Sequence, residues 1–187
     1  FHLLNSTIFL CIVLMSVLSV PLLYVKDNYP QFKILFNMAS FFMISLFILI
    51  GFYWTSFKRN DDNPSFFKFI IEFPLFLSVS MGLSLHNSVA VIEGLLGVKS
   101  PFLRTPKFNV NANNKIEKWS ENKYLVSSIT ALSVFELIFA LYFIFGIFLA
   151  FYYQDYGLLP FHLMLSFGYL FVFIKSTFHS LISTNTK

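Results

Sequence analysis

The segment with the clearest chemical character is SPFLRTPKF, residues 100–108, a basic and proline-containing stretch in an otherwise apolar chain. Arg104 and Lys107 place two cations three residues apart, and Thr105 adds a hydroxyl between them. An arginine fork and a lysine point charge suit an anionic ligand of the phosphate type. An ordinary basic loop beside a membrane, attracted to anionic lipid headgroups, has the same composition. The residues alone leave both interpretations open.

Glu136 is a second candidate because it is the one acid deep within a strongly apolar run, SVFELIF. A carboxylate inside a bilayer is costly, and it indicates a functional site such as a substrate, ion or proton path. The alternative is a structural carboxyl group that bonds Ser133, Thr130 or a hydroxyl on a neighbouring helix. Both interpretations stay open.

Other reactive side chains indicate no chemistry by their spacing. Asp61 and Asp62 follow Lys58 and Arg59, which is typical of a solvated turn. The chain has no glycine-rich nucleotide loop and no His/Cys cluster with metal-ligand spacing. We therefore expect no catalytic residue, no metal ligand and no cofactor within this chain. Isolated groups that we interpret as packing or interfacial residues are His86, His162 and His179, and we expect Cys11 to be a small buried hydrophobic residue.

Composition places these residues in a membrane protein. Of 187 residues, 57% are hydrophobic and 12% are charged, and the mean hydropathy is +0.71. A soluble domain has about 25% charged residues. Runs of about 20 apolar residues can cross a hydrocarbon core of about 30 Å. We expect an all-α membrane protein with four spans, at residues 3–25, 32–54, 124–153 and 158–182.

Charge placement decides how we interpret residues 66–97. If this segment lies at the interface or re-enters without crossing, eleven of the 13 basic residues fall on one side and only Lys26 and Lys33 on the other. The positive-inside rule then makes the first side cytoplasmic, with both termini there. The sequence thus predicts an interfacial element at 66–97 and a cytoplasmic basic loop at 98–123. Its helix carries a polar face of His86, Asn87 and Glu93.

The run MGLSLHNSVAVIEGLLGVKSPFLRTPKFNV, residues 81–110, resembles the C-terminal membrane region of family 2 glycosyltransferases of the cellulose-synthase-like and poly-N-acetylglucosamine-synthase-like type. HNSVAVIEGLLG is similar to the interfacial helix of that family, and FLRTPKF to the loop that follows it. The order of two spans, interfacial element, loop and two spans also matches. Thr105 and Lys107 match the loop positions, whereas Arg104 departs from the family's F-x-V-T-x-K pattern as an added cation.

The resemblance implies a cytoplasmic loop that helps to hold a nucleotide-sugar donor. The family's D-x-D and Q-x-x-R-W motifs are absent, so catalysis would need an upstream catalytic domain with Mg²⁺ or Mn²⁺. The implied partners are that domain, the donor, the lipid bilayer and a polysaccharide or lipid acceptor, with no nucleic acid. The implied location is the bacterial inner membrane. The alternative is a non-enzymatic scaffold or transporter fragment whose basic loop binds anionic lipid.

Overall fold

The computed structural model describes residues 6–39, 41, 43–61, 63–98 and 131–184, and of residues 39, 43 and 178–184 only the backbone. Seven α-helices and a short 3₁₀ helix, Pro30–Phe32, account for almost all of these residues, which contain no strand. The helices are α1 Ile8–Asn28, α2 Lys33–Ala39, α3 Met43–Asn60, α4 Phe66–Gly82, α5 Ser84–Leu95, α6 Ala131–Tyr152 and α7 Leu159–Thr184. The all-α class is confirmed.

Four helical segments are long and apolar enough to cross a membrane, as expected in number. They are Ile8–Asn28, Phe66–Leu95, Ala131–Tyr152 and Leu159–Thr177 among the described residues. The second of them comprises α4 and α5. The charge pattern had predicted the second span at 32–54 instead. The chain is therefore a multi-pass membrane protein whose second long apolar helix lies at 66–95.

The expected span at 32–54 is divided between α2 and α3. With a rise of about 1.5 Å per residue, the seven residues of α2 extend only about 10 Å. α3 has 18 residues but ends in polar Thr55 and Ser56 and then Lys58 and Arg59. Its apolar part within the described residues, 43–54, is about 18 Å long. The four segments that are long and apolar enough to cross do not include 32–54 in a search of the described residues.

Most buried positions of the bundle hold small or polar residues, and most large apolar residues lie outside it. The buried stripe of α6 recurs every three or four residues, which is the spacing of one helix face; it consists of Ser133, Glu136, Ala140, Phe143, Gly146 and Ala150. Outward residues such as Phe145 and Phe148 are 52% and 62% exposed. Helices in a bilayer pack through small residues because lipid already solvates the large apolar ones.

Side-chain contacts fix the directions of α1, α6 and α7. The Tyr142 hydroxyl donates to the Val17 carbonyl at 2.7 Å, and Val20 packs onto Gly146, so α1 and α6 run in the same direction. Residues 153–158 turn the chain into α7, which returns antiparallel. We call this end of the bundle the turn end, and the end where α6 begins the loop end.

α4 runs in the same direction as α7. The two helices cross with almost no space between their backbones. A Cβ atom added at Gly168 would overlap the carbonyl oxygen of Ser78, and one added at Gly82 would overlap the Gly168 carbonyl. Further along both helices, Gly82 faces Val172, towards the loop end. Only small residues permit such an approach. Glycines 82 and 168 therefore dock α4 onto α7.

The same direction continues into α5, since His86 contacts Glu136 near the beginning of α6. Phe66–Leu95 thus starts at the turn end and proceeds towards the loop end. α1 also ends at the turn end, where Lys26 pairs with Asp155. α1 therefore ends and α4 begins at the turn end, whereas α5 ends and α6 begins at the loop end.

We expect Gly168→Ala to lower the midpoint of thermal unfolding in detergent, because the new methyl group meets backbone atoms of α4 that cannot move aside. Overpacking of this kind costs about 1–3 kcal/mol. Gly94→Ala is the matched control, since nothing lies within 4 Å of a Cβ there. Equal midpoints for the two variants would contradict the close helix contact.

We expect single cysteines at Ser65 and Gly157 to react with a membrane-impermeant thiol reagent from the same side of sealed vesicles. A cysteine at Val98 should react from the opposite side, because it follows α5 at the loop end. Cys11, which is exposed, is replaced by serine in all three proteins. Labelling of the Ser65 and Val98 positions from one side would show that 66–95 does not cross.

Candidate functional site

The predicted site residues separate into two groups. Arg104, Thr105 and Lys107 lie outside the described residues, so their geometry is not defined. His86, Asn87 and Glu93 lie on α5, and Glu136 lies on α6. The structure brings His86 and Glu136 together, whereas Glu93 is exposed towards the end of α5.

α5 presents its serines to the bundle. Ser84 and Ser88 are buried, and His86 and Asn87 are partly buried. α5 packs mainly against α1. The helix therefore makes tertiary contacts on part of the face that we expected to meet water, and only its last turn is fully exposed.

The Glu136 carboxylate is the deepest acidic group in the described bundle. Its side chain is 0% exposed, and Oε1 lies 3.0 Å from Nδ1 of His86, whose side chain is 39% exposed. The two atoms are at ion-pair distance, but they do not have the angles of a hydrogen bond. The Ser176 hydroxyl of α7 also approaches the carboxylate. Glu136 thus joins α6 to α5 and α7.

A second polar contact lies deeper in the bundle and links three helices. The Tyr169 hydroxyl of α7 is 3.1 Å from the Ser84 hydroxyl of α5, and the Ser16 hydroxyl of α1 also bonds it. Tyr169 is fully buried and packs between Phe139 and Phe143. In hydrocarbon a buried phenol needs such partners, because no water is present to satisfy it.

His162 forms the third polar contact, nearer the turn end. Its Nε2 atom is 2.9 Å from the Ser19 hydroxyl, and its ring stacks on Phe143. The absence of a side chain at Gly146 makes room for the imidazole, which lies about 3.2 Å from the place of a Cβ. The sequence interpretation of His162 as a packing residue missed this bond. Ser16 and Ser19, one turn apart in an apolar helix, are the signal that would have indicated a partner.

At the turn end, Lys26 and Asp155 form an ion pair at 2.5 Å. Partial burial alone would raise the pKa of Asp155. The Lys26 hydrogen bond, the Gly157 amide and the Lys26 charge together outweigh burial, and the pKa lies below its ordinary value. The pair ties the end of α1 to the α6–α7 turn.

A cavity of about 540 Å³ lies between α3 and α4. Its walls are aromatic and its rim is charged, and it is lined by residues that include Tyr53, Phe57, Phe69, Phe73 and Phe76. At the rim, Lys68 donates to Asp61, whose pKa is lowered by this bond. The predicted solvated turn at Asp61 therefore also pairs with Lys68 in the first turn of α4.

No arrangement of metal ligands is present in the described part of the chain: no three His, Cys, Asp or Glu side chains come together. No family model, curated protein or solved structure matches the chain. The functional interpretation therefore rests on the residues and their geometry alone.

We expect Asp155→Asn to lower the unfolding midpoint at neutral pH by an amount that shrinks as the medium becomes acidic. A carboxylate with a depressed pKa stabilises the fold above the unfolded-state pKa of about 3.9, and this stabilisation is lost as pH falls through the folded pKa. Because Lys26 is 45% exposed, the effect is below about 1 kcal/mol.

The control for this variant is Asp27→Asn, which changes an exposed acid beside Lys26. Both proteins are unfolded by heat at several pH values in the same detergent. A difference between Asp155→Asn and the wild type that is independent of pH would contradict the ion pair as the source of the stabilisation.

Proposed function

We propose that this chain is the membrane part of a family 2 glycosyltransferase that uses a nucleotide-sugar donor to build or extend a polysaccharide or glycolipid. The observation that carries the proposal is the run at residues 81–110, with its basic loop directly after α5. The chain direction supports it. α5 proceeds towards the loop end, where α1 also begins, so the loop connects at the same face as the amino-terminal side of α1.

This placement matters because the donor must meet both the loop and the catalytic domain. In the proposed enzyme the catalytic domain precedes α1 and lies against the loop end. Arg104, Thr105 and Lys107 would then face it rather than the opposite side of the membrane. The number of crossings before the loop remains even, as the sequence predicted, although the crossing helices differ.

Charge supports a cytoplasmic loop end, although less strongly than the sequence prediction supposed. With 66–95 as a crossing helix, five of the 13 basic residues belong to the turn end and eight to the loop end and its connected segments. The positive-inside rule favours the side with more lysine and arginine. In the proposed enzyme both termini and the loop are cytoplasmic, and the membrane is the bacterial inner membrane.

In this proposal the loop residues act on the diphosphate of the donor. Arg104 offers two parallel donors to phosphate oxygens, Lys107 offers a point charge, and the Thr105 hydroxyl completes the set. Mg²⁺ or Mn²⁺ would neutralise the diphosphate in the upstream domain. No described residues of this chain form a site for it. The helices anchor the enzyme and border the path of the polysaccharide or lipid acceptor.

We expect Thr105→Ala and Lys107→Ala to reduce nucleotide-sugar turnover in the full-length protein by about tenfold to a hundredfold. A hydrogen bond to a charged group contributes about 1.5–3 kcal/mol, and about 1.4 kcal/mol corresponds to a factor of ten. Turnover is measured in membranes with radiolabelled donors.

Lys115→Ala is the matched control, since it removes a lysine of the same segment outside the TPK run. If turnover is unchanged in all three variants while binding to anionic lipid vesicles falls, the donor-binding proposal fails. The basic loop then acts as a lipid-binding segment.

A further inference from the structure

The Glu136–His86 pair has a chemical property that does not depend on sugar transfer. An ionised carboxylate beside an imidazolium and a neutral carboxyl beside a neutral imidazole both carry zero net charge. Because the Glu136 side chain is fully buried, its ionised form needs a cation beside it, and an imidazolium at His86 would supply that cation. A proton placed between the two groups can bond to either one.

Among the described residues, the contacts of Glu136 include no charged partner other than His86. From α5 the group that faces Glu136 is His86, and from α7 the polar groups near it are Ser176 and Tyr169. Tyr169 is already bonded to the hydroxyls of Ser84 and Ser16. The nearest lysine on α7, Lys175, lies over the ring of Phe171 at 5.7 Å.

The imidazole offers a route from outside the bundle to the carboxylate. Glu136 is 0% exposed, whereas the His86 side chain is 39% exposed. A proton taken up at the exposed side of His86 can therefore reach the buried carboxylate through the imidazole. The 3.0 Å separation is within transfer distance, and a rotation of the imidazole ring would bring the two atoms into line.

We propose that His86 and Glu136 form a proton-transfer site, in which the half-exposed imidazole takes up a proton and passes it to the buried carboxylate. In the forward step the Nδ1–H bond of the imidazolium breaks and an O–H bond forms on Oε1. The imidazolium becomes neutral imidazole and the carboxylate becomes a carboxylic acid. The reverse step returns the proton to His86 and the outside. The ligand of this site is the proton itself.

The test uses infrared spectroscopy of the purified chain in lipid nanodiscs, transferred from H₂O to D₂O. A protonated buried carboxyl group has a separate carbonyl band, whose isotopic shift reports the rate of proton exchange. We expect the band in the wild-type protein and in Glu93→Gln, which removes an exposed acid of α5. We expect it to be absent from Glu136→Gln.

The role of His86 is tested by the rate. We expect His86→Ala to slow isotope exchange at Glu136 roughly a hundredfold, the size of a positioned acid–base group, and added imidazole to restore it. His86→Gln should slow exchange similarly, and its near-native size guards against a folding defect. His162→Gln should leave the rate unchanged.

Three results would overturn the proposal. The first is the absence, at every pH tested, of a carboxyl band that depends on Glu136. The second is an unchanged exchange rate in both His86 variants. The third is slow exchange that imidazole does not restore in His86→Ala, which would assign His86 a structural role only. None of these measurements requires the glycosyltransferase proposal to be correct.

Discussion

The contact of Gly168 with the Ser78–Gly82 turn leaves no space for a Cβ atom at either glycine, and the positions of α4 and α5 in the bundle depend on it. It holds α4 parallel to α7 at backbone distance. Because α4 is docked in that direction, α5 continues to the level of Glu136 and can place His86 beside it. A wider spacing would remove α5 from α1 and α6, and the polar contacts among them would be lost.

Hydrocarbon offers no hydrogen-bond partner, so polar groups inside this bundle must find partners within the protein. Several serines bond their own helix three or four residues back, as Ser78 does with Pro74 and Ser166 with Leu163. Tyr169 and His162 find hydroxyls on neighbouring helices. Among the described residues, the buried side-chain atoms without a hydrogen-bond partner are the two Glu136 oxygens, Ser88 Oγ and one ring nitrogen each of His86 and His162. Of these groups only Glu136 is an acid, and its oxygens have an approaching imidazole and hydroxyl.

Hydropathy predicted the outer helices well because their apolar runs are long and uninterrupted. The predicted spans at 3–25 and 158–182 correspond to Ile8–Asn28 and Leu159–Thr184. The middle of the chain was harder to predict, because we favoured the arrangement that placed the most basic residues on one side of the membrane. Lys58, Arg59 and Lys68 belong instead to the turn end, where Asp61 pairs with Lys68. A count of basic residues alone does not register such pairing.

Side-chain pairing across helices was not predictable in the same way. The sequence indicated Glu136 as a costly intramembrane acid and His86 as part of a polar face. Nothing in their spacing placed them together, because 50 positions separate them and the direction of α4 decides whether they meet. The small residues at 78, 82 and 168 form the contact that sets the direction of α4. The sequence alone does not show which helix each of them faces.

The most direct test of the account is a pair of distances measured between spin labels in lipid nanodiscs, with one label at Ser65 and the second at Gly157 or Ile8. Ile8 lies 18 residues before Lys26, about 27 Å along the helix axis from the turn end. We predict that the Ser65–Gly157 distance is the shorter of the two by at least about 10 Å, since α4 starts at the turn end. A shorter Ser65–Ile8 distance would contradict the direction of α4 and the position of everything that follows it.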